Sequence, residues 1–437
     1  MGCSPHYNCT GDGLAGCSVI QSKRTGGSDV RNVRRGLSYK RIHGPEGSGP
    51  LTHQRKSYMS NTDNKEKAPI NWTPAIMFAV TNLVAVIAVP WYGLAHGYSW
   101  SAVAAFVLLT WMTELAITAG YHRLWSHNAY QAHWSLRLFY ALFGAMALQN
   151  TVLHWASGHR VHHRHVDDVD KDPYSARRGL WFSHMGWMLR KYPSGDVNFD
   201  NVKNLTKDPV VMWQYRYYLP IALGMNILIP VMLGLIFGDV WGMVLMAGFL
   251  RIVATHHFTF FINSIVHKWG SQPYTDENTA RDNAFFAILT HGEGYHNYHH
   301  IFQTDYRNGI RWYQWDPTKW FIKTCSWLGL ARDLNVVPEF KIQRAKLKMQ
   351  FKRAQEKLAK SGSHEKWSVM LENEYEEFKA MLAHWTELQG QRYQETRRTL
   401  QEKWEGAALR TRVKELEYSL QMQQKRLKLM MAQFAHN

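Results

Sequence analysis

The stretch SWSAVAAFVLLTWMTELAITAG, residues 99–120, carries one formal charge, Glu114. A helix crossing a bilayer needs about 20 predominantly apolar residues, so this stretch is long enough to cross. The text before it, PAIMFAVTNLVAVIAVPWYGLA from Pro74, carries no formal charge, and only His96, Gly97 and Tyr98 separate the two. So short a turn makes an antiparallel hairpin. Further on, YYLPIALGMNILIPVMLGLIFG and, after Asp239, VWGMVLMAGFLRIVATHHFTFFIN repeat the arrangement. The predicted fold class is therefore an all-α membrane protein. Its four transmembrane helices, near 74–95, 99–120, 217–238 and 240–263, form two hairpins. Four such segments in paired order argue against buried helices of a soluble domain. Between the hairpins WSLRLFYALFGAMAL is apolar but short, and it reads as an amphipathic segment at the interface.

Lys and Arg collect in the 121–216 connection and in both tails, while the two hairpin turns have none. The positive-inside rule places the long connection, both termini and any chemistry they carry in the cytoplasm. Over the whole chain of 437 residues, 51 Lys+Arg stand against 34 Asp+Glu, a net charge of +17. Charge of this kind does not by itself separate nucleic acid, an anionic membrane face and an anionic substrate, and nothing in the pattern calls for nucleic acid. Three of the 4 cysteines fall at Cys3, Cys9 and Cys17, far from Cys325, which makes neither a disulfide framework nor a cysteine zinc site and points to a reducing compartment.

Residues 1–70 are polar and basic with no sustained period, and read as a disordered leader. The leader has no apolar core of a secretory signal. Met59 opens MSNTDNKEKAP, a polar leader in its own right, and is the expected start of the translated chain. The domain spanning 71–335 is followed by a charged tail, 336–437. There KIQRAKLKMQFKRAQEKLAK is basic and helical, and Trp367, Leu371, Tyr375, Phe378, Leu382 and Trp385 step by four and three. Val413, Leu416, Leu420 and Leu427 resume that seam, which predicts helical hairpin or coiled-coil packing and a route to self-association.

Histidine is the unusual residue, with 23 copies. HRLWSH places His122 and His127 just past the second span, HRVHH gives His159, His162 and His163, NSIVH ends the fourth span at His267, and HNYHH gives His296, His299 and His300. In HRVHH and HNYHH the imidazoles stand at i, i+3 and i+4, one face of a helix and so half of a metal site. The i,i+5 pair in HRLWSH does not align on an ideal helix and is expected at a helix end that unwinds. Nine imidazoles exceed one zinc, which takes about four ligands, so two metal ions sharing them is the inference. Imidazole suits Zn, Cu, Fe and Ni alike, and ligand type alone does not choose the metal. His6, His43, His53, His364, His384 and His436 lie in the tails and read as solvated. His154, His165, His184 and His291 sit near the clusters, where supporting or structural roles compete with ligation. Arg251, His256 and His257 fall inside a span and are expected to face the bundle interior.

HRLWSH, HRVHH and HNYHH in this order, with NSIVH, DKDPYSARRGLWFSHMGWML and HGEGYHNYHHIFQTDYRNGIRWYQWDPTKW around them, resemble the integral-membrane fatty acyl desaturases of the stearoyl-CoA delta-9 type, in a bacterial form. The resemblance covers Asn71 to Asp333. It implies a four-span protein of a bacterial inner membrane whose cytoplasmic cap holds two iron ions and uses dioxygen as co-substrate. The implied iron ligands are the same nine histidines, His122, His127, His159, His162, His163, His267, His296, His299 and His300, with Asn263 reaching an iron through water. It further implies that Gln149, Trp155 and Thr259 line the bend of a tunnel for a long-chain acyl substrate. Arg177 and Arg178, with Arg190 and Lys191, stand where the phosphates of a coenzyme A headgroup would lie, although basic residues there are equally expected from the positive-inside rule. The animal acyl-CoA enzymes carry an Arg-Asp pair before the second box where this sequence has Ser157 and Gly158, so a phospholipid carrier stands beside coenzyme A, the favoured one. The HPGG pattern of a fused cytochrome domain does not occur, which implies a separate electron donor: a ferredoxin, a rubredoxin or a cytochrome with its reductase.

The chemistry accounts for the ligands. Two adjacent unactivated methylenes have no acidity to exploit, so their dehydrogenation needs dioxygen and a redox metal, and zinc has no redox chemistry. Two other readings compete. A di-iron membrane hydroxylase would add oxygen to carbon, and a histidine-rich metal transporter would need ligands inside the membrane and a path across it.

Overall fold

The computed structural model describes residues 68–361 continuously and short stretches of helix between 369 and 411. The leader up to residue 67, the six tail histidines and all of the predicted tail seam except Tyr375 and Phe378 lie outside the described residues.

Among the described residues four helices are long and apolar enough to cross a membrane: Trp72–His96, Trp100–Ser126, Tyr218–Phe237 and Val240–His267. They are the four read from the sequence, and the second and fourth run further than their apolar stretches, because both extend to the histidines that follow. The first and third spans are buried over only 22% and 17% of their apolar windows, against 56% and 50% for the second and fourth. The second and fourth spans therefore form the inner pair, packed through Ala102, Leu109, Met243, Met246 and Ala247. The flanking spans present side chains such as Val86, Leu94, Leu235 and Ile236 outward, which suits hydrocarbon as their solvent.

Asp239 joins the two hairpin turns. Its carboxylate accepts from the Gly242 amide (2.8 Å), capping the fourth span, and from Ser99 Oγ (2.7 Å) and Tyr92 OH (3.3 Å) of the first hairpin. Both turns thus lie at one end of the bundle, and the long connections that carry the histidine boxes lie at the other.

The segment Trp134–Met146 is a helix, as its composition predicts, and it locks against the second span. A Cβ on Gly120 would meet Tyr140 at 2.6 Å, and one on Gly144 would overlap the Tyr121 ring. These two glycines are what let the helices approach closely. The largest buried core forms here, with Tyr121, Trp125, Tyr130 and Tyr140 against Val152, Leu153 and Ala156 of the following helix. Sheet is minimal: Gln131–Ala132 pairs antiparallel with Ala331–Arg332.

The first part of the tail, Glu339–Ser361, is a helix that docks on the histidine-bearing end. Ile342 packs on Tyr274 and Tyr298, while Lys352 pairs with Asp276 at 2.5 Å and Arg353 donates to the Gln272 carbonyl at 2.5 Å. Beyond it Phe351 meets Tyr375 and Phe378, with ring centroids 5.2 and 5.6 Å apart.

Replacing Asp239 with Ala removes a helix cap and both links between the hairpins, and is expected to cost roughly 1–3 kcal/mol. Thermal unfolding of the full chain in detergent checks this: the Ala variant should melt below the wild type and Asp239→Asn between them. Equal melting of all three contradicts the role given to this carboxylate.

Candidate metal centre

Each histidine box sits where an inner helix ends or a cap helix packs beneath it. Over Ala116–Ser126 the second span widens into π-type winding, and the His127 amide bonds the His122 carbonyl five residues back (3.2 Å). The sequence reading expected this pair on an unwinding helix end. The helix does stop there, but the backbone loosens to i→i+5 bonding instead of unwinding, and that brings the two rings to 4.8 Å. HRVHH occupies the helix Val152–His165, capped by Thr151, whose hydroxyl accepts from the His154 amide. His267 closes a short 3-10 turn at the end of the fourth span, and HNYHH forms the helix His296–Ile301.

All nine predicted histidines converge, in two groups. His122, His127, His159, His163 and His299 form one; His162, His267, His296 and His300 form the other, with ligand atoms inside each group within 4.8 Å of one another. A box on one helix face is therefore not half of one site, as the spacing alone had it. In HRVHH the i,i+4 pair His159 and His163 enters the first group and His162 the second. In HNYHH the i,i+4 pair His296 and His300 enters the second group and His299 the first. Both cap helices thus straddle the two sites.

The nitrogens meet at the spacing of a coordination shell. Nε2 atoms are 2.8 Å apart between His127 and His159, 2.9 Å between His122 and His299, and 3.0 Å between His163 and His299. In the second group, His267 and His296, His296 and His300, and His162 and His300 are 3.0, 3.0 and 3.3 Å apart. Metal–imidazole bonds of about 2.0–2.1 Å place neighbouring ligand nitrogens roughly 3 Å apart.

The outer ring nitrogens show which way the lone pairs point. His122 Nδ1 is 2.9 Å from Glu293 Oε2, and His162 Nδ1 is 2.9 Å from Asp172 Oδ1. His267 Nδ1 bonds Thr279 Oγ1 (2.9 Å), whose hydroxyl hydrogen is committed to Asp167 at 2.6 Å. An acceptor on Nδ1 fixes the proton there and leaves the Nε2 lone pair facing inward, the arrangement a metal ion requires. His127, His159, His163, His296, His299 and His300 are all held well below the ordinary histidine pKa, first by burial and then by the neighbouring imidazoles. They stay neutral and keep a free lone pair. Inward-facing lone pairs on buried neutral rings are stabilised by a cation, so the donor set fits two metal ions.

Glu293 also binds Arg123, which is fully buried and clamped by Asp316 (2.9 and 3.0 Å). Burial raises the Glu293 carboxyl, but His122 and Arg123 outweigh it and hold it below the usual range. Sequence reasoning passed over Asp172, Glu293, Thr279 and Asp167. The available signal was an acidic residue within ten positions of a box, as in DKDP and HGEG.

Among the other predicted residues, Asn263 lies one turn before His267 and is half-buried. Gln149, Trp155 and Thr259 come together: Gln149 Nε2 donates to Thr259 Oγ1 at 2.8 Å, and Trp155 Nε1 to Gln149 Oε1 at 3.2 Å. Trp155 stacks on His159, with centroids 4.9 Å apart, so the trio borders the first group. Arg178 lies over the Phe182 and Tyr192 rings, while Arg177 is largely exposed with Asp167 at 3.9 Å. His154, His165, His184 and His291 join neither group. His184 instead contacts His257 and Ser264, and the buried His291 packs its ring edge-on against Trp111, with centroids 4.6 Å apart. Arg251 and His256 are buried inside the bundle, as expected.

Four helices able to cross a membrane and a paired cluster of nine imidazoles define an integral-membrane protein with a candidate metal centre. The model of the fatty acid desaturase family matches residues 98–326, and the chain belongs to that family. It is 47% identical over 248 residues to acyl-CoA desaturase 1 of Saccharomyces cerevisiae, an alignment covering 56% of this chain and 48% of that protein. It is 36% identical over 275 residues to the sn-2 palmitoyl-lipid 9-desaturase of a Nostoc species, covering 62% of this chain and 92% of that protein. With stearoyl-CoA desaturase 5 of Bos taurus it shares 38% over 227 residues, 51% of this chain and 68% of that one. The chain spans about half the length of the yeast relatives it matches.

The orienting carboxylate can be tested on its own. Asp172→Ala is expected to weaken metal retention in the His162 group by about 10–100-fold, read as metal left on the purified full chain across a chelator titration. Asp172→Asn, which keeps an acceptor, should fall between. Unchanged retention in the Ala variant contradicts the orienting role.

Proposed function

We propose that the chain is an oxygen-dependent acyl-CoA desaturase that inserts a cis double bond at the delta-9 position of a saturated long-chain acyl group. The single observation carrying this reading is the stacking of Trp155, hydrogen-bonded to Gln149 and through it to Thr259, on His159, which sets a candidate chain-bending element against the first histidine group. In this reading the nine histidines hold two iron ions, with Asn263 linked through water. Bound iron supplies the dioxygen-dependent oxidation that unactivated methylenes require. The reaction balances as –CH2–CH2– + O2 + 2 e− + 2 H+ giving –CH=CH– + 2 H2O.

The chain's own residues bind, orient and shield. The inner spans exclude water from the acyl chain, the Gln149 amide ties the box helix to Thr259 on the fourth span, and Trp155 fixes the turn of the chain beside the first histidine group. Glu293, Asp172 and Thr279 hold their imidazoles in one tautomer. Arg177, with Arg190 and Lys191, meets the phosphates of coenzyme A, while Arg178 braces that surface through Phe182 and Tyr192. The histidine-bearing end faces the cytoplasm of a bacterial inner membrane, a setting that rests on the distribution of Lys and Arg and on the wording around the boxes. Two electrons come from a separate ferredoxin, rubredoxin or cytochrome, for which the cationic face offers complementarity. The tail provides for self-association.

A phospholipid-linked substrate is the second reading. It is favoured by Ser157 at the second box, whose hydroxyl is committed to Asn198 and Asn201 and presents no charge to a nucleotide headgroup. It also agrees with the names of the cyanobacterial relatives.

Expression of the full chain in a host lacking its own desaturase, followed by gas chromatography–mass spectrometry of total fatty acids, tests the function. New delta-9 mono-unsaturated acids should appear and be lost in His162→Ala. Hydroxylated acids in their place would move the protein to the hydroxylase branch, and purified membranes supplied with acyl-CoA or with phospholipid separate the two carriers.

A further inference from the structure

Between the interfacial helix and the box helix the backbone is strained. Leu148 and Asn150 adopt φ of 53° and 77° on either side of Gln149, a conformation that costs a non-glycine residue free energy and persists only where neighbours impose it. The neighbours are on the fourth span. Met146 and Ala147 end a helix, so their carbonyls have no partner further along it. Arg251 Nη1 donates to the Met146 carbonyl at 2.9 Å, and His256 Nε2 stands 2.9 Å from the Ala147 carbonyl. Thr259 then receives Gln149. Residues 146, 147 and 149 are thereby matched in order to 251, 256 and 259, one rung after another.

Arg251 is fully buried in a membrane span and pairs with no carboxylate among the described residues. Its remaining donors go to the Ala247 carbonyl (2.9 Å) and to Asn226 Oδ1. A buried charge in a span is costly and marks function, yet every polar contact of this guanidinium serves backbone or amide geometry. From the other side the Asn150 amide donates to Tyr218 OH and the Val152 amide to Gln214 Oε1, both at 3.0 Å. The loop is held on two sides, and both elements that meet there lead to histidines of the metal centre: the box helix that follows it to His159 and His163, and the fourth span packed against it to His267.

We propose that Arg251 and His256 are positioning residues that set the double-bond position: they fix the Gln149 loop in register with the fourth span, and so fix which carbon pair stands beside the metal centre. The proposal rests on the reading of Gln149, Trp155 and Thr259 as the bend of the acyl path. A slip of one residue along the span moves the bend by about 1.5 Å, comparable to the advance of one methylene in an extended chain.

The test uses the full chain with two readouts. In the desaturase-free host, double-bond positions are mapped by mass spectrometry of dimethyl disulfide adducts. His256→Phe and Arg251→Gln should yield a positional isomer at an adjacent carbon that the wild type does not make, and His256→Gln, which keeps a donor, should restore the single position. Product confined to the wild-type position in both disruptive variants overturns the proposal, whatever the yield. Should neither accumulate, His256→Asn, which draws the donor back, carries the same expectation and the same refutation. Hydrogen–deuterium exchange on purified protein reads the register without turnover: exchange across 147–152 should rise about tenfold in His256→Phe while 159–163 stays protected. Unchanged exchange in the loop overturns the ladder. A wild type that makes no mono-unsaturated acid refutes the functional reading, and the exchange result then decides the ladder by itself.

Discussion

Seven buried and two half-buried imidazoles, gathered with ring nitrogens about 3 Å apart, form an arrangement suited to cations, and the rest of the molecule is organised around it. Neutral rings do not repel as charges, but lone pairs about 3 Å apart with no proton between them are unfavourable in a desolvated cavity. The boxes therefore hang on elements that cannot easily retreat: two inner span ends, one capped helix packed into the main core, and one short helix held under the tail. Neutral ligands also leave the charge of bound ions uncancelled. Compensation comes from one layer out, where Glu293, Asp172 and Asp167 act through imidazoles or a hydroxyl. Arg123, clamped by Glu293 and Asp316, ties this outer layer to the segment that follows HNYHH.

The same helices serve membrane and site. The inner spans at the bundle centre run on to His122 and His267, so the packing of the spans and the position of the ligands share one reference. The flanking spans contribute little burial and answer mainly to the bilayer. The Gln149 loop lacks helical hydrogen bonding of its own, and polar groups on four neighbouring segments hold it.

Much of this was legible in the sequence because it is local. Four apolar runs identify four spans, and i,i+3,i+4 spacing places His159, His162 and His163 on one helix face. What local pattern could not give was the partition of each box between two groups, because that depends on how two helices from distant parts of the chain cross. Nor does a period reveal the π-type winding that gathers His122 and His127, in a segment packed closely against Trp134–Met146. Asp172 and Glu293 were in plain view, but a carboxylate near a box becomes an orienting group only through its distance to a ring nitrogen. Of the predicted tail seam, Tyr375 and Phe378 meet Phe351, and the remaining positions lie outside the described residues.

The central claim is that these histidines build two adjacent metal sites in one chain. Metal analysis of the purified full chain, paired with Mössbauer spectroscopy on iron-enriched protein, tests it most directly. The account predicts two metal ions per chain in nitrogen-rich environments, iron if the proposed function holds. A single metal ion per chain, or none retained by the folded protein, would contradict it.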